Sequence, residues 1–307
     1  MLVATSIVTC LLVALGGIVC ATRASGGCPD WPRCQGRLIP PLQMSSILEY
    51  THRVVALLTG VLITTAAVVG WCRPEAGRAL RVLPTIGVVL TIVVAIFGAF
   101  AVLTGLPPLL AAADLGTALV VLALVVAAAA IGCIDDDQAP LEARPPSHKR
   151  LAALSASALG MLFVVLLMGV LVARGSVMRC LGGPLHIGPW GSLGEASSWP
   201  YALRQLLAAM TVLLIIAVAG TALQDRGVDP VTRRWTMAVL VLFVLETALN
   251  AAMVALGAEG PLLIGSAVAA AGMWSALVVV VVRTRLPSSG RATVHRSEGG
   301  AQPAGAR

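Results

Sequence analysis

The sequence predicts an all-α integral membrane protein: eight transmembrane helices arranged as two parallel four-helix repeats. Three observations predict it. The 307 residues are 58% hydrophobic and only 11% charged, where a soluble domain carries about 25% charged residues. Eight apolar runs approach the ~20 residues that cross a bilayer. The two halves of the chain also repeat one another. The net charge of +7 sits mostly in short loops and the tail, where it reads as a topology signal and gives no reason to expect a nucleic-acid partner.

The runs fall at about 1–22, 47–71, 82–103, 111–133, 151–173, 201–222, 236–257 and 262–282. The first has no basic residue before Arg23, unlike a secretory signal, and the repeat gives it a counterpart. It is expected to be a retained helix. The connections 72–81, 134–150 and 223–235 and the tail from Arg283 hold most of the Arg and Lys. The connections 23–46 and 174–200 are long, rich in Gly and Pro, and less basic. The positive-inside rule predicts both termini in the cytoplasm and the two long loops outside, in a multi-pass plasma-membrane protein whose first partner is the lipid bilayer.

The repeat is visible in three ordered matches. "GIVCATRASGGC" (17–28) has the shape of "VLVARGSVMRC" (170–180). "THRVVALLTGVLI" (51–63) falls on "ALRQLLAAMTVLL" (202–214), placing Arg53 on Arg204. "PPLLAAAD" (107–114) falls on "GPLLIGSA" (260–267). Repeats of the same topology are related by a pseudo-two-fold axis along the membrane normal. The expected units are a four-helix half at 1–133, a cytoplasmic linker at 134–150, a second half at 151–282 and a disordered basic tail at 283–307.

The most polar stretch of the first half runs from Gly27 to Gly60 and contains Cys28, Cys34 and a Glu-x-x-His. The two cysteines lie in an outer loop with Pro29 and Pro32. Thiols that close, outside the membrane, favour oxidation. A Cys28–Cys34 disulfide is the first expectation, with free thiols or metal ligation as alternatives. Cys180 has no partner in its own loop. Cys10, Cys20, Cys72 and Cys133 read as small packing residues.

Glu49 and His52 are three apart and share a helix face. Ionisable groups inside a span are costly and point to function. By helical rise His52 lies on the order of 8 Å below the outer boundary. A histidine bonded to a loop carbonyl is one reading. A di-iron bundle needs a second Glu-x-x-His and two more Glu, and the sequence has one such pair. Axial ligation of haem iron by His52 is the third, with Glu49 beside the macrocycle and Arg53 a candidate for a propionate.

"CPDWPRCQGRLIPP", then "EYTHRVVALLTG", then "VLTGLPP" resembles the haem A synthase family (CtaA/Cox15). The resemblance implies an oxidoreductase that converts haem O to haem A by oxidising a ring methyl to a formyl group. The product serves cytochrome oxidase assembly, and a separate enzyme supplies haem O. It implies a substrate haem in the N-terminal half and a haem b in the C-terminal half, each held by histidines on two helices. Glu49, His52, Arg53, Cys28 and Cys34 match the family pattern. The other three ligand positions fall at Asp114, Leu203 and near Ala267, with Arg204 left from an H-R pair. The chain therefore reads as a divergent member that keeps one of four ligand histidines. Its haem b site is expected to be lost, and Asp114 to face the iron from the fourth helix.

The remaining histidines are His148, His186 and His295; only His186 lies on the predicted outer side. Glu246 and Asn250 occupy one face of the seventh run. A functional site, or a protonated Glu bonded across helices, would each account for them. The alternative to the enzyme is a non-catalytic haem-binding or oxidase-assembly protein of the same fold. A homo-oligomer is compatible with either. A parallel-repeat transporter would show broken helices and more polar groups at mid-depth.

Overall fold

The computed structural model describes residues 1–22, 24–73, 75–105, 107–134, 146–172, 199–257 and 260–285. Among them are eight long helices and no strand: α1 (Leu2–Ala21), α2 (Met44–Cys72), α3 (Arg78–Thr104), α4 (Pro108–Gly132), α5 (Pro146–Val172), α6 (Trp199–Gln224), α7 (Pro230–Leu256) and α8 (Gly260–Arg285). All eight are long and apolar enough to cross a membrane. Cys180, His186 and His295, the side chain of His148, and most of the predicted linker and tail lie outside the described residues.

Several helices begin before their apolar runs, for a local reason. Pro108, Pro146 and Pro230 each stand at a helix start, where the missing N–H is no loss and the fixed φ suits the first turn. Asp229 caps α7 by accepting from the Val231 and Thr232 amides at 3.0 and 2.9 Å. Arg283 on α8 donates to the same carboxylate at 3.1 Å, tying the two helix ends together. Gly105, at φ 77°, supplies the left-handed residue that ends α3. Helix α5 begins at Pro146, within the stretch 134–150, and α8 runs to Arg285.

In the first half α1, α2, α3 and α4 are neighbours in a closed ring, leaving α2 and α4 at opposite corners. In the second half α5, α6, α7 and α8 form the same ring. The halves meet through α1 with α8, α4 with α8, and α4 with α5. Exchanging each helix with its counterpart four places on leaves this pattern unchanged, which is consistent with the repeat. The shared core is built on α8, where Trp274 donates its indole N–H to the Leu119 carbonyl at 3.1 Å and packs at 6.0 Å from Phe163.

The exposed residues of α2 include Met44, Ile47, Thr51, Val54, Leu58, Val61, Thr65 and Val68, a three-and-four spacing that makes one continuous lipid-facing stripe. Its opposite face buries Ser46, Glu49, Thr59, Ile63, Ala66, Ala67 and Gly70. Near the far end of α2, Pro84 of α3 removes the N–H that would bond the Leu80 carbonyl. That carbonyl faces Gly70, where a Cβ would stand 2.7 Å from its oxygen. Glycine at 70 permits this close approach.

Candidate functional site

The cysteine loop is docked onto the first three turns of α2. Cys28 and Cys34 are bonded, S–S 1.99 Å with Cα atoms 4.5 Å apart, as the sequence led us to expect. Between them the Asp30 carboxylate accepts the Gly36 amide at 2.7 Å and the Gln35 amide at 2.5 Å. Those amides are aimed at it by left-handed backbone at Gln35 and Gly36. The Gly36 amide first, then the Gln35 amide and the Arg53 charge, hold the Asp30 carboxyl below the ordinary aspartate range. Cys34 and Arg37 exchange backbone hydrogen bonds at 3.0 and 3.1 Å, closing the loop.

Three residues of α2 receive it. Ser46 donates to the Gly27 carbonyl at 2.8 Å. Glu49 accepts the Cys28 amide at 2.9 Å on one carboxylate oxygen, and pairs with Arg53 at 2.5 Å on the other. Arg53 also donates to the carbonyls of Asp30 and Arg33, both at 2.8 Å, and of Cys28 at 2.9 Å. Positions 46, 49 and 53 share a helix face, so one face of the helix grips the loop. Gly27 lies against the helix backbone: a Cβ there would be 2.5 Å from Ser45 and 2.6 Å from Ser46. We expect Gly27→Ala to lift the loop off α2, seen as faster proteolysis between residues 28 and 43 with the transmembrane fragments unchanged.

His52 follows Glu49 by three residues and packs on Gly16 of α1, whose Cβ, if present, would lie 3.2 Å from the imidazole. Its Nδ1 is buried with no hydrogen-bond partner. Asp114 on α4 lies beside Gly98 of α3, where a Cβ would be 4.0 Å from Oδ1. That Oδ1 is likewise buried and unpartnered. His52 is the ninth residue of α2 and Asp114 the seventh of α4. At 1.5 Å per residue they lie about 12 and 9 Å inside helices that start at the same end. The earlier start of α2 sets His52 somewhat deeper than its apolar run suggested.

The second half differs at the corresponding level. Arg204 is buried on α6, apart from the cysteine loop, and neither Leu203 nor Ala267 offers a ligand atom. Glu246 of α7 is 1% exposed. It accepts from the Asn250 amide at 2.9 Å and from the Ser266 hydroxyl of α8 at 3.1 and 3.2 Å. This is the cross-helix hydrogen bonding that the sequence offered as one of two readings. Ser266 was not foreseen, because a lone serine on another helix carries no periodic signal. Cys20, read as a packing residue, is disulfide-bonded. Its position one residue from the end of α1 put it within reach of the outer loops, which an apolar context had masked. Cys10, Cys72 and Cys133 are free, the last two exposed. Thiol labelling in detergent should therefore mark Cys72 and Cys133 without reductant, and Cys28 and Cys34 only after reduction.

Fold and site together define a multi-pass helical membrane protein with a disulfide loop seated over a half-buried histidine whose Nδ1 is shielded from solvent. The model of the COX15-CtaA family, described as cytochrome oxidase assembly protein, matches residues 1–47 and 42–190. The chain belongs to that family. It is similar to the heme A synthase of Bacillus licheniformis (strain ATCC 14580), 36% identical over 117 residues, or 38% of this chain and 39% of that protein. The heme A synthases of Bacillus cereus (strain AH187) and Bacillus anthracis (strain CDC 684) are each 33% identical over 119 residues, 38% of either chain. The aligned stretch thus spans about two-fifths of each relative's length.

Proposed function

We propose that the chain is a haem A synthase-like membrane oxidoreductase that oxidises a haem O methyl to the formyl group of haem A for cytochrome oxidase. The observation that carries it is His52: an imidazole with a buried, unpartnered nitrogen, one helical turn below a loop-bound carboxylate, in a chain of this family. An unpaired buried polar atom is costly, and an iron ligand bond would relieve that cost. The donor set fits haem, for which a single histidine is an established axial ligand. Among the described residues, no group of three metal-ligating side chains offers another metal site.

In this reading His52 holds the group from α2, and Asp114 approaches the same level from the opposite corner of the ring. Haem, when bound, supplies the redox-active iron and the methyl to be oxidised. Glu49 presents a carboxylate that can accept a proton on Oε1 or Oε2. Arg53 donates through both terminal nitrogens, twice each, leaving Nε as its remaining N–H donor. It is better placed to hold the loop and Glu49 than to bind a propionate. The disulfide loop sits on the first turns of α2 at this end of the ring.

The N-terminal half, 1–133, is then the substrate-haem unit. The half at 151–282 carries no haem b, because Leu203 and Ala267 replace its ligands. Arg204 is a remnant of that site. The same replacements favour a second reading, a haem-binding assembly protein without turnover. Arginines at 73, 78, 81, 226, 233 and 234 crowd the end opposite the cysteine loop, which supports cytoplasmic termini and an outer cysteine loop. A separate enzyme would deliver haem O. Expression with a haem O source, followed by haem extraction and mass analysis, tests the enzyme: a haem A peak is expected. Bound haem without haem A would favour the second reading.

A further inference from the structure

The His52 imidazole sits edge-on against the backbone of α1 at Gly16. A Cβ on Gly16 would stand 3.2 Å from Cε1, 3.8 Å from Nδ1 and 3.9 Å from Nε2. The Cε1 edge therefore points at Gly16, and the two nitrogens flank that direction at nearly equal distance. A methyl group at 3.2 Å crowds the ring, and a longer side chain would displace it. Gly16 lies inside α1 and has none of the left-handed backbone that calls for glycine at 36, 105 and 257. Glycine weakens a helix interior, and close approach is the remaining reason for it here. The repeat separates two causes of that approach. The match that places Gly17 on Gly169 places Gly16 on Met168, and the match that places Arg53 on Arg204 places His52 on Leu203. Helices α1 and α2 pack side by side, as do α5 and α6. Helix packing alone would ask for a small residue in both halves. The small residue stands only where the imidazole does.

We propose that Gly16 is a positioning residue for His52: it admits the imidazole edge against α1, limits the rotation of the ring, and so sets the direction of its two nitrogens. The inference rests on the haem reading for its chemical consequence, while the seat itself is a property of the chain. Groups around a metal ligand that fix its ring orientation govern affinity and electronic structure without touching the metal. A ring held in one orientation also loses less freedom on binding than one that must first be ordered. Gly16 acts through His52 alone. The cysteine loop is gripped by Ser46, Glu49 and Arg53, and Asp114 lies beside Gly98 of another helix. A change at 16 therefore separates the orientation of the imidazole from the seating of the loop.

The test has a haem-free and a haem-loaded arm, both on the full chain purified in detergent. With isotope-labelled histidine, the His52 ring signal is the one lost in His52→Ala. It should shift in Gly16→Ala and stay in Gly17→Ala, which makes the same helix change about 100° around α1. In the loaded chain, Gly16→Ala should keep the wild-type haem content and move the iron–histidine stretching band. Gly16→Val should lower haem affinity about tenfold, the low end of what outer-shell changes cost a metal site. A glycine that served packing alone would change stability and leave the band in place. Gly16→Met should destabilise the chain, and adding His52→Leu, which copies the residues of the second half, should restore much of the loss, because contacting positions are coupled. Thermal unfolding of that pair keeps the inference testable if Gly16→Val inserts poorly. A wild type that binds no haem would sink the haem reading alone. A ring signal unmoved by Gly16→Ala, a band unmoved in the loaded Gly16→Ala chain, or no recovery on adding His52→Leu would each overturn the seat.

Discussion

Arg53→Ala is expected to undo the seating of the cysteine loop and, on the proposed enzymatic reading, to abolish formation of haem A. The guanidinium donates to the carbonyls of Cys28, Asp30 and Arg33 and pairs with Glu49. Alanine removes all four interactions. It also leaves the Glu49 carboxylate, 3% exposed, without its counter-charge. Breaking one side of a buried pair costs on the order of 3–5 kcal/mol, more than removing both partners together. Glu49→Gln combined with Arg53→Ala should therefore destabilise less than Arg53→Ala alone. Thermal unfolding of the detergent-purified protein, with the four members of this cycle compared, measures that difference. Arg53→Lys keeps the charge but not the fork of donors, and should recover only part of the loss.

His52→Ala is expected to remove bound haem altogether, with the helices intact. The imidazole touches Gly16 and has no hydrogen-bond partner on Nδ1, so its loss breaks no described network and leaves a space within the ring. An effect confined to haem content, with circular dichroism and membrane insertion unchanged, is what a ligand gives. A structural histidine would instead show lowered stability. Asp114→His restores a second histidine at the same depth, and should turn the spectrum of the bound haem to that of a low-spin, bis-histidine iron. Soret and α bands that do not move would mean that Asp114 does not face the iron.

Much of this was legible in the sequence. The eight runs and the Glu-x-x-His announce themselves through hydropathy and helical spacing, and the Cys28–Cys34 loop through its prolines and compartment. Helix starts were less so, because Pro108, Pro146 and Pro230 begin helices several residues before the apolar runs that marked them. The role of Arg53 was hidden for a different reason. Its spacing from Glu49 predicts a pair, but the three loop carbonyls it also holds belong to residues 20 to 25 positions earlier, whose backbone path depends on Asp30 and on left-handed Gln35 and Gly36. The Glu246 cluster was half visible: Asn250 lies one turn away, whereas Ser266 arrives from another helix.

The central claim is that one haem binds, in the N-terminal half, on His52. The most direct measurement is the pyridine haemochrome of the purified chain set against protein mass, for wild type and His52→Ala. We predict no more than one haem per chain for wild type and none for His52→Ala. Two haems per chain, or haem retained by His52→Ala, would contradict the account.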